Sequence, residues 1–114
     1  MQKLSLDVLA REQLDAARRS TAGRAAQTAV GGHEHVMRQT VIALLRGRSL
    51  AEHANPGEAT VHVLLRRVRL VSGGDAWEGR RGDLLIVPAA PHSLEALEDA
   101  AVLLTVAKRG GRTP

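Results

Sequence analysis

Apolar residues recur at helical spacing near the start of the chain and at every second position later on. The first apolar stripe comprises Leu6, Leu9, Ala10, Leu14 and Ala17. Positions three and four residues apart share one face of a helix, so the stripe predicts an amphipathic α-helix over residues 5–19. Ser5 at its start and Gly23 after its end are typical helix-boundary residues.

Turn signals divide the rest of the chain into short segments. The signals are Gly31-Gly32, Asn55-Pro56-Gly57, Gly73-Gly74-Asp75 and Gly79 to Gly82. The segments between them predict strands at 24–30, 34–45, 48–54, 58–65, 67–72, 83–88, 92–97 and 100–108. Short strands at this regular spacing are typical of a β-sandwich or barrel.

Alternation is clearest in the segment 58–65. Its apolar residues Ala59, Val61 and Val63 fall on one face of the predicted strand, opposite the polar face that carries His62. Two other runs, 84–87 and 102–104, are apolar throughout, which predicts burial on both faces.

Composition requires an aliphatic core, because Trp77 is the only aromatic residue among the 114. Hydrophobic residues make up 44% of the chain, which is enough for one domain with its own core. A surface that stacks RNA bases needs several exposed rings, so this composition disfavours that class of protein.

The absence of cysteine excludes disulfides, thiolate nucleophiles and cysteine-type zinc sites. A cysteine-free chain suits the reducing cytosol. The N-terminus lacks the apolar core of a signal peptide, and no apolar run approaches the roughly 20 residues of a membrane helix. We therefore expect a cytoplasmic protein with no membrane partner.

The formal net charge of +4 comes from 16 Lys and Arg against 12 Asp and Glu, and all but two of the 16 are arginine. This small excess is spread along the sequence, which favours a role in solubility over nucleic-acid binding. Arg66, Arg67 and Arg69 form the densest cluster. We interpret it as a solvated or dimer-bridging face and not as a phosphate site.

Two segments resemble the paired motifs of the cupin family. Gly47 and His53 match the first motif, G-x5-H-x-H-x(3,4)-E-x6-G, whereas Asn55 stands at its second histidine position and Glu58 lies just before the glutamate position. The second motif, G-x5-P-x-G-x2-H, resembles the segment 82–92. There the glycine and proline match, and His92 comes one residue early.

The resemblance covers about residues 38–107 and implies an all-β fold, the cupin double-stranded β-helix or jelly-roll barrel. The chain then divides into an N-terminal helical extension (1–22), a cupin barrel (23–109) and a flexible tail (110–114). Cupin proteins and open sheet edges both favour homodimers, so we expect a homodimer.

In cupins the motif residues converge inside the barrel and hold a divalent metal, usually through three histidines and one glutamate. The resemblance therefore implies a site for Fe, Mn, Ni or Zn, with His53 and His92 as ligands. His62 is the candidate third ligand, and Asn55 and Glu58 are expected to line the pocket. The alternatives are a hydrogen-bonded pair, His53 and His92, in a metal-free pocket, and a surface or dimer-face position for His62.

A further pair, His33 and His35, has the spacing that would place both rings on one face of a strand. Because it follows two glycines, the alternative is a solvated strand end. Another departure from the family is Arg66, which stands where the cupin hairpin carries glycine. A left-handed turn at this position would be strained.

Two classes of function follow from these residues. The first is a non-catalytic small-ligand-binding module, with or without a divalent metal, whose pocket is lined by His53 and His92. The second is a metal-dependent enzyme, such as a dioxygenase or isomerase. We favour the first, because the glutamate and the second histidine of the first motif are missing and a catalytic metal needs a stable ligand set.

Overall fold

The computed structural model describes residues 1–53 and 57–108, and for Glu52 and His53 it describes the backbone alone. The elements are α1 (Leu6–Arg19), β1 (Arg24–Val30), β2 (Met37–Leu44), β3 (Ser49–His53), β4 (Gly57–Leu65), β5 (Arg67–Ser72), β6 (Asp75–Arg80), β7 (Leu84–Ile86), β8 (His92–Ala96) and β9 (Ala100–Lys108). The predicted all-β fold with an N-terminal helix is confirmed.

The strands form two antiparallel sheets. One has five strands in the order β1-β2-β9-β4-β7, and the other has four in the order β3-β8-β5-β6. Aliphatic side chains fill the space between them. The buried members of this core are Ile42, Leu44, Ala59, Val61, Val63, Val68, Leu70, Val87, Leu94, Ala96, Ala100 and Val102.

Helix α1 packs on the outer face of the five-stranded sheet. Leu14 contacts a cluster that includes Ala43 of β2 and Ala101 of β9, which are neighbours across the two strands. Small residues at these positions let the helix approach the sheet closely. Strands β2 and β9 are therefore buried on both faces where the helix covers them, as the run 102–104 predicted.

The ends of helix α1 lie where the sequence predicts them. The Ser5 hydroxyl accepts a hydrogen bond from the backbone N–H of Val8 at 3.2 Å, which satisfies one of the free donors of the first turn. The helix ends at Arg19, and Gly23 then adopts a φ of 69° in the turn that leads into β1.

Strand β6 was not predicted, because Gly79 resembles a turn residue. In the structure Gly79 is a strand residue that allows close packing. A Cβ atom at this position would lie 3.1 Å from Leu85 Cδ1 and 3.2 Å from Val63 Cγ2. The glycine therefore lets β6 approach the side chains of the opposite sheet.

Two other sequence predictions are wrong in detail. The run 84–87 is not buried on both faces, because Leu84 and Ile86 are 57% and 69% exposed on β7, a short strand at the edge of its sheet. The predicted strand 34–45 begins only at Met37, because the chain makes a turn at His33 and Glu34.

No helix among the described residues is long and apolar enough to cross a bilayer. The division at residue 22 into a helical extension and a barrel stays a prediction, and the proposed tail 110–114 lies outside the described residues.

The turn between β4 and β5 consists of a single residue, Arg66, in a left-handed conformation. Its φ is 57°, and it is the one non-glycine residue with positive φ in the described part of the chain. Its guanidinium donates a hydrogen bond from Nη1 to the carbonyl oxygen of Asp99 at 2.8 Å. The strain foreseen from the sequence is therefore present, and this contact partly offsets it.

Substitution at position 66 is expected to reverse the usual ranking of alanine and glycine. Arg66→Ala and Arg66→Gly both lose the contact with Asp99, but only glycine adopts positive φ without strain. Because the left-handed conformation costs other residues about 1 kcal/mol, Arg66→Gly should have the larger free energy of unfolding by about that amount. Urea denaturation of the two variants measures the difference, and a more stable alanine variant would contradict it.

Candidate ligand pocket

Among the described residues, His92 is the polar side chain that is buried between the two sheets. It is the first residue of β8, on whose inward face Leu94 and Ala96 follow, and it is 5% exposed. Its Nδ1 lies 3.1 Å from the carbonyl oxygen of Ala90. Because a carbonyl oxygen can only accept, Nδ1 is the donor in this contact.

A small pocket adjoins this imidazole. The five-stranded sheet contributes Ile42, Val61 and Leu104, and the four-stranded sheet contributes Leu50, Leu70, His92 and Leu94. The cavity has a volume of about 20 Å³, which is room for about one ordered water. The pocket is thus a narrow aliphatic space with one imidazole in its wall.

His53 and His92 are brought together at the level of the backbone. Strands β3 and β8 are antiparallel, and the Cα atoms of His53 and His92 are register partners, after an irregularity between Leu50 and His53. Residues directly opposite one another on antiparallel strands belong to the same face of a sheet. The two histidines that the sequence selected are therefore neighbours across one pair of strands.

His62 does not reach this pocket. On β4 the side chains of Val61 and Val63 are buried between the sheets, and His62 between them faces the outside of the five-stranded sheet. There it is half-buried, in register with Leu84 on β7 and Leu103 on β9. The candidate third ligand therefore lies where the simple alternation of the sequence places it, on the outward face of the strand.

Glu58 shares the outward face of β4 with His62 and is exposed. It borders a shallow external hollow with Ala59, Thr60, Thr105 and Ala107. Asn55, the other residue expected to line the pocket, lies outside the described residues. The interior pocket is therefore lined mainly by aliphatic residues. The alternation of the sequence predicts such residues to belong to the core and does not indicate that they line a pocket.

These placements limit what metal the chain could hold. Among the residues that the structure describes, no three histidine or acidic side chains are grouped so that they could hold a metal ion. Stable protein metal centres use three or four protein ligands. The described donors do not fit the four-ligand centre that the cupin resemblance implies.

The pair His33 and His35 lies in the loop before β2 and not on a strand. The backbone N–H of His35 donates to the carbonyl oxygen of Gly32 at 3.1 Å, which makes a turn. The two-residue alternation of a strand therefore does not apply, and the expected strand geometry for a metal pair is absent from this segment.

The arginine cluster of β5 is neutralised on the outer face of the four-stranded sheet. Arg67 lies 3.4 Å from Glu78 and 3.6 Å from Glu98, and Arg69 lies 3.7 Å from Glu78 and 3.6 Å from Glu95. These are partly exposed ion pairs, each worth about 0–1 kcal/mol. The network agrees with the interpretation of this face as a solvated surface, and Arg66 stands apart from it.

Comparison with solved structures identifies the fold. A conserved protein of unknown function from Streptococcus pyogenes is 23% identical and aligns over 96% of this chain and 90% of its own, with a TM-score of 0.74. A cupin superfamily protein from Desulfitobacterium hafniense is 14% identical over 75% of this chain and 77% of its own, with a TM-score of 0.69. A cupin 2 conserved barrel domain protein from Salinispora arenicola is 18% identical over 92% and 87%, with a TM-score of 0.65.

No protein-family profile matches the sequence, and a search of curated proteins finds no match. The structural likeness confirms the resemblance seen in the sequence at the level of fold: the chain is a small protein with the cupin fold. The alignment with the Streptococcus pyogenes protein covers 96% of this chain and therefore includes most of α1.

Proposed function

We propose that this small cupin-fold protein is a non-catalytic binding module for a small, largely apolar molecule. The observation that carries the proposal is the wall of the interior pocket, where six aliphatic side chains surround the imidazole of His92. Pockets of this composition gain affinity from apolar burial and orientation from the polar group. Of the described residues that line the pocket, His92 is the one with a titratable side chain.

The size of the pocket sets a condition on binding. A cavity of about 20 Å³ cannot hold an organic molecule, so its aliphatic walls must move apart to admit one. Leu50 and Leu104 are partly buried and belong to opposite sheets. Rotation of such side chains costs less than movement of fully buried ones, and we expect the ligand to displace them.

The proposed binding is tested by titrating the protein with linear and cyclic alcohols of about three to seven carbons, followed by methyl NMR. We expect the methyl signals of Leu50 and Leu94 to shift. His92→Leu should weaken binding about fivefold, because one hydrogen bond contributes about 1 kcal/mol. The matched control His62→Leu should leave binding unchanged.

Two results would contradict this function. Shifts confined to the exposed residues Leu84 and Ile86 would place the alcohols on the surface. Equal affinities for the His92→Leu variant and the unaltered protein would show that the imidazole makes no contact with the ligand.

A divalent metal is the second candidate ligand, supported by the register between His53 and His92. Two imidazoles make a weak site for Zn, Ni, Fe or Mn, and the described residues contain no group of three metal-binding side chains. For the same reason a metal-dependent dioxygenase or isomerase is the weaker alternative.

Metal binding through His53 and His92 is expected to be weak and to depend on His92 but not on His62. Elemental mass spectrometry of protein purified without chelators should find well below one equivalent of metal per chain. In a zinc titration, His92→Ala should lower the affinity at least tenfold, because half of the donor pair is lost, and His62→Ala should not change it. A full equivalent of bound metal per chain would contradict a two-histidine site. A lower zinc affinity in His62→Ala would also contradict it.

A homodimer is the expected assembly, and the exposed edges of both sheets support it. Trp77 on β6 is 47% exposed, and with Leu84 and Ile86 on β7 it borders a hollow of about 260 Å³ where the two edge strands meet. Free strand edges with apolar side chains are typical sites of association.

The cytoplasmic location stays a prediction from the cysteine-free composition.

Dimerisation through this edge predicts that Ile86→Glu produces a monomer, because the carboxylate would be buried without a partner. Multi-angle light scattering at tens of micromolar measures the change in mass. Val36→Glu is the matched control, since Val36 is 64% exposed in the loop before β2 and away from the edge. A monomeric unaltered protein, or a dimeric Ile86→Glu variant, would contradict the proposal.

A further inference from the structure

Four connections between strands lie at the same end of the barrel. They are the segments 45–48, 66, 81–83 and 97–99, which join β2 to β3, β4 to β5, β6 to β7 and β8 to β9. Hydrogen bonds tie them together. Asp99 accepts from the backbone N–H of Arg46 at 2.9 Å and from the guanidinium of Arg66 at 2.8 Å, and Gly82 N–H donates to the carbonyl oxygen of Val63 at 2.8 Å.

Two connected hollows open at this end, and arginines dominate their walls. The larger, of about 440 Å³, is bordered by Arg66, Arg67, Arg80, Arg81 and Glu98. The smaller, of about 300 Å³, is bordered by Arg46, Arg66, Glu98 and Asp99. They share Arg66 and Glu98, so they form one surface, which we call the arginine hollow. Its five arginines and two carboxylates leave three formal positive charges.

The carboxylates near the arginine hollow already have partners. Glu98 lies 3.6 Å from Arg67, and Asp99 lies 3.6 Å from Arg18 of helix α1. The Asp83 carboxylate accepts a hydrogen bond from the backbone N–H of Arg80 at 2.9 Å. Among the described residues, no carboxylate lies within ion-pair distance of the guanidinium groups of Arg46, Arg66, Arg80 and Arg81.

The register of the four-stranded sheet adds a repulsive contact. Arg67 and Arg80 are direct partners on β5 and β6. Like charges opposite one another destabilise a sheet, and Glu78 and Glu98 compensate Arg67 but not Arg80. A bound anion would remove this repulsion. The sheet therefore places two arginines opposite each other without supplying a carboxylate for each.

We propose that the arginine hollow is a binding site for a small molecule with two or more phosphate groups. For Arg66 and Arg67 this proposal replaces the interpretation from the sequence, which treats their cluster as a solvated or dimer-bridging face and not as a phosphate site. Guanidinium groups present planar pairs of N–H donors that match the oxygens of phosphate. Four such groups without carboxylate partners exceed what one phosphate can occupy, which favours a ligand with at least two. The site is separate from the interior pocket and does not depend on the ligand proposed there.

The position of the hollow favours a small ligand over a nucleic acid. The next arginine along β5, Arg69, is compensated by Glu78 and Glu95, so the positive surface ends within one strand. The one aromatic side chain of the protein, Trp77, borders a different hollow and offers no ring for stacking here. A nucleic acid would need a longer basic stripe.

Calorimetric titration with inorganic pyrophosphate at about 0.15 M salt tests the site, because this ionic strength screens diffuse attraction. We expect pyrophosphate to bind at least fivefold more tightly than orthophosphate. The double variant Arg80→Gln/Arg81→Gln should lower the pyrophosphate affinity at least tenfold. Glu98→Gln should raise it about threefold, since the substitution removes a carboxylate from the hollow and releases Arg67.

Arg69→Gln is the matched control for the single variant Arg80→Gln, because each removes one positive charge from the four-stranded sheet and Arg69 lies outside the hollow. It should change the affinity less than twofold, and circular dichroism should show that all variants remain folded. An equal loss in Arg69→Gln and in Arg80→Gln would mean diffuse electrostatics and overturn the proposal. Absence of pyrophosphate binding would overturn it as well, and so would a short DNA duplex that binds more tightly than pyrophosphate.

Discussion

The alternation of strand β4 is the constraint on which the candidate site depends, because a strand directs only every second side chain into the space between the sheets. Ala59, Val61 and Val63 take the inward positions and are buried. Glu58 and His62 must then face outward. A shift by one residue would bring them inside but would expose both valines, at about 1.5–3 kcal/mol each.

The opposite sheet supplies the polar group instead. His92, Leu94 and Ala96 occupy the inward-facing positions of β8. The carbonyl oxygen of Ala90 holds the His92 ring through a hydrogen bond with Nδ1. An imidazole held in this way places one polar group in an aliphatic wall, the composition that is typical of pockets for small, largely apolar ligands.

Local patterns predicted most of the fold. The apolar stripe and Ser5 located helix α1, and alternation located the strands that line the core. The failures came from residues whose role depends on distant partners. Gly79 resembles a turn residue, but a Cβ atom there would lie only 3.1 Å from Leu85 Cδ1 of the opposite sheet. The three-residue strand β7 is the last strand of its sheet in the described part of the chain, and Leu84 and Ile86 on it are exposed.

The site was predictable to the same extent. Motif spacing selected His53 and His92, whose backbones are register partners. The choice of His62 as a third ligand fails, because His62 lies on the outward face of β4, where the alternation of the strand puts it. The aliphatic residues of the pocket wall could not be told from ordinary core residues. Their place in the wall depends on which strands face each other, and this is a property of the topology.

The arginine hollow shows most clearly why some features of the protein could not be predicted from the sequence. Along the sequence the positive charge looks dispersed, because Arg46, Arg66 and Arg80 are separated by 20 and 14 positions. The topology brings their turns to one end of the barrel. The carboxylates on the outer face of the four-stranded sheet are meanwhile used by Arg67 and Arg69. Charge that is balanced over the strands is therefore unbalanced where the strands end, and an anion from solution is the group that can balance it.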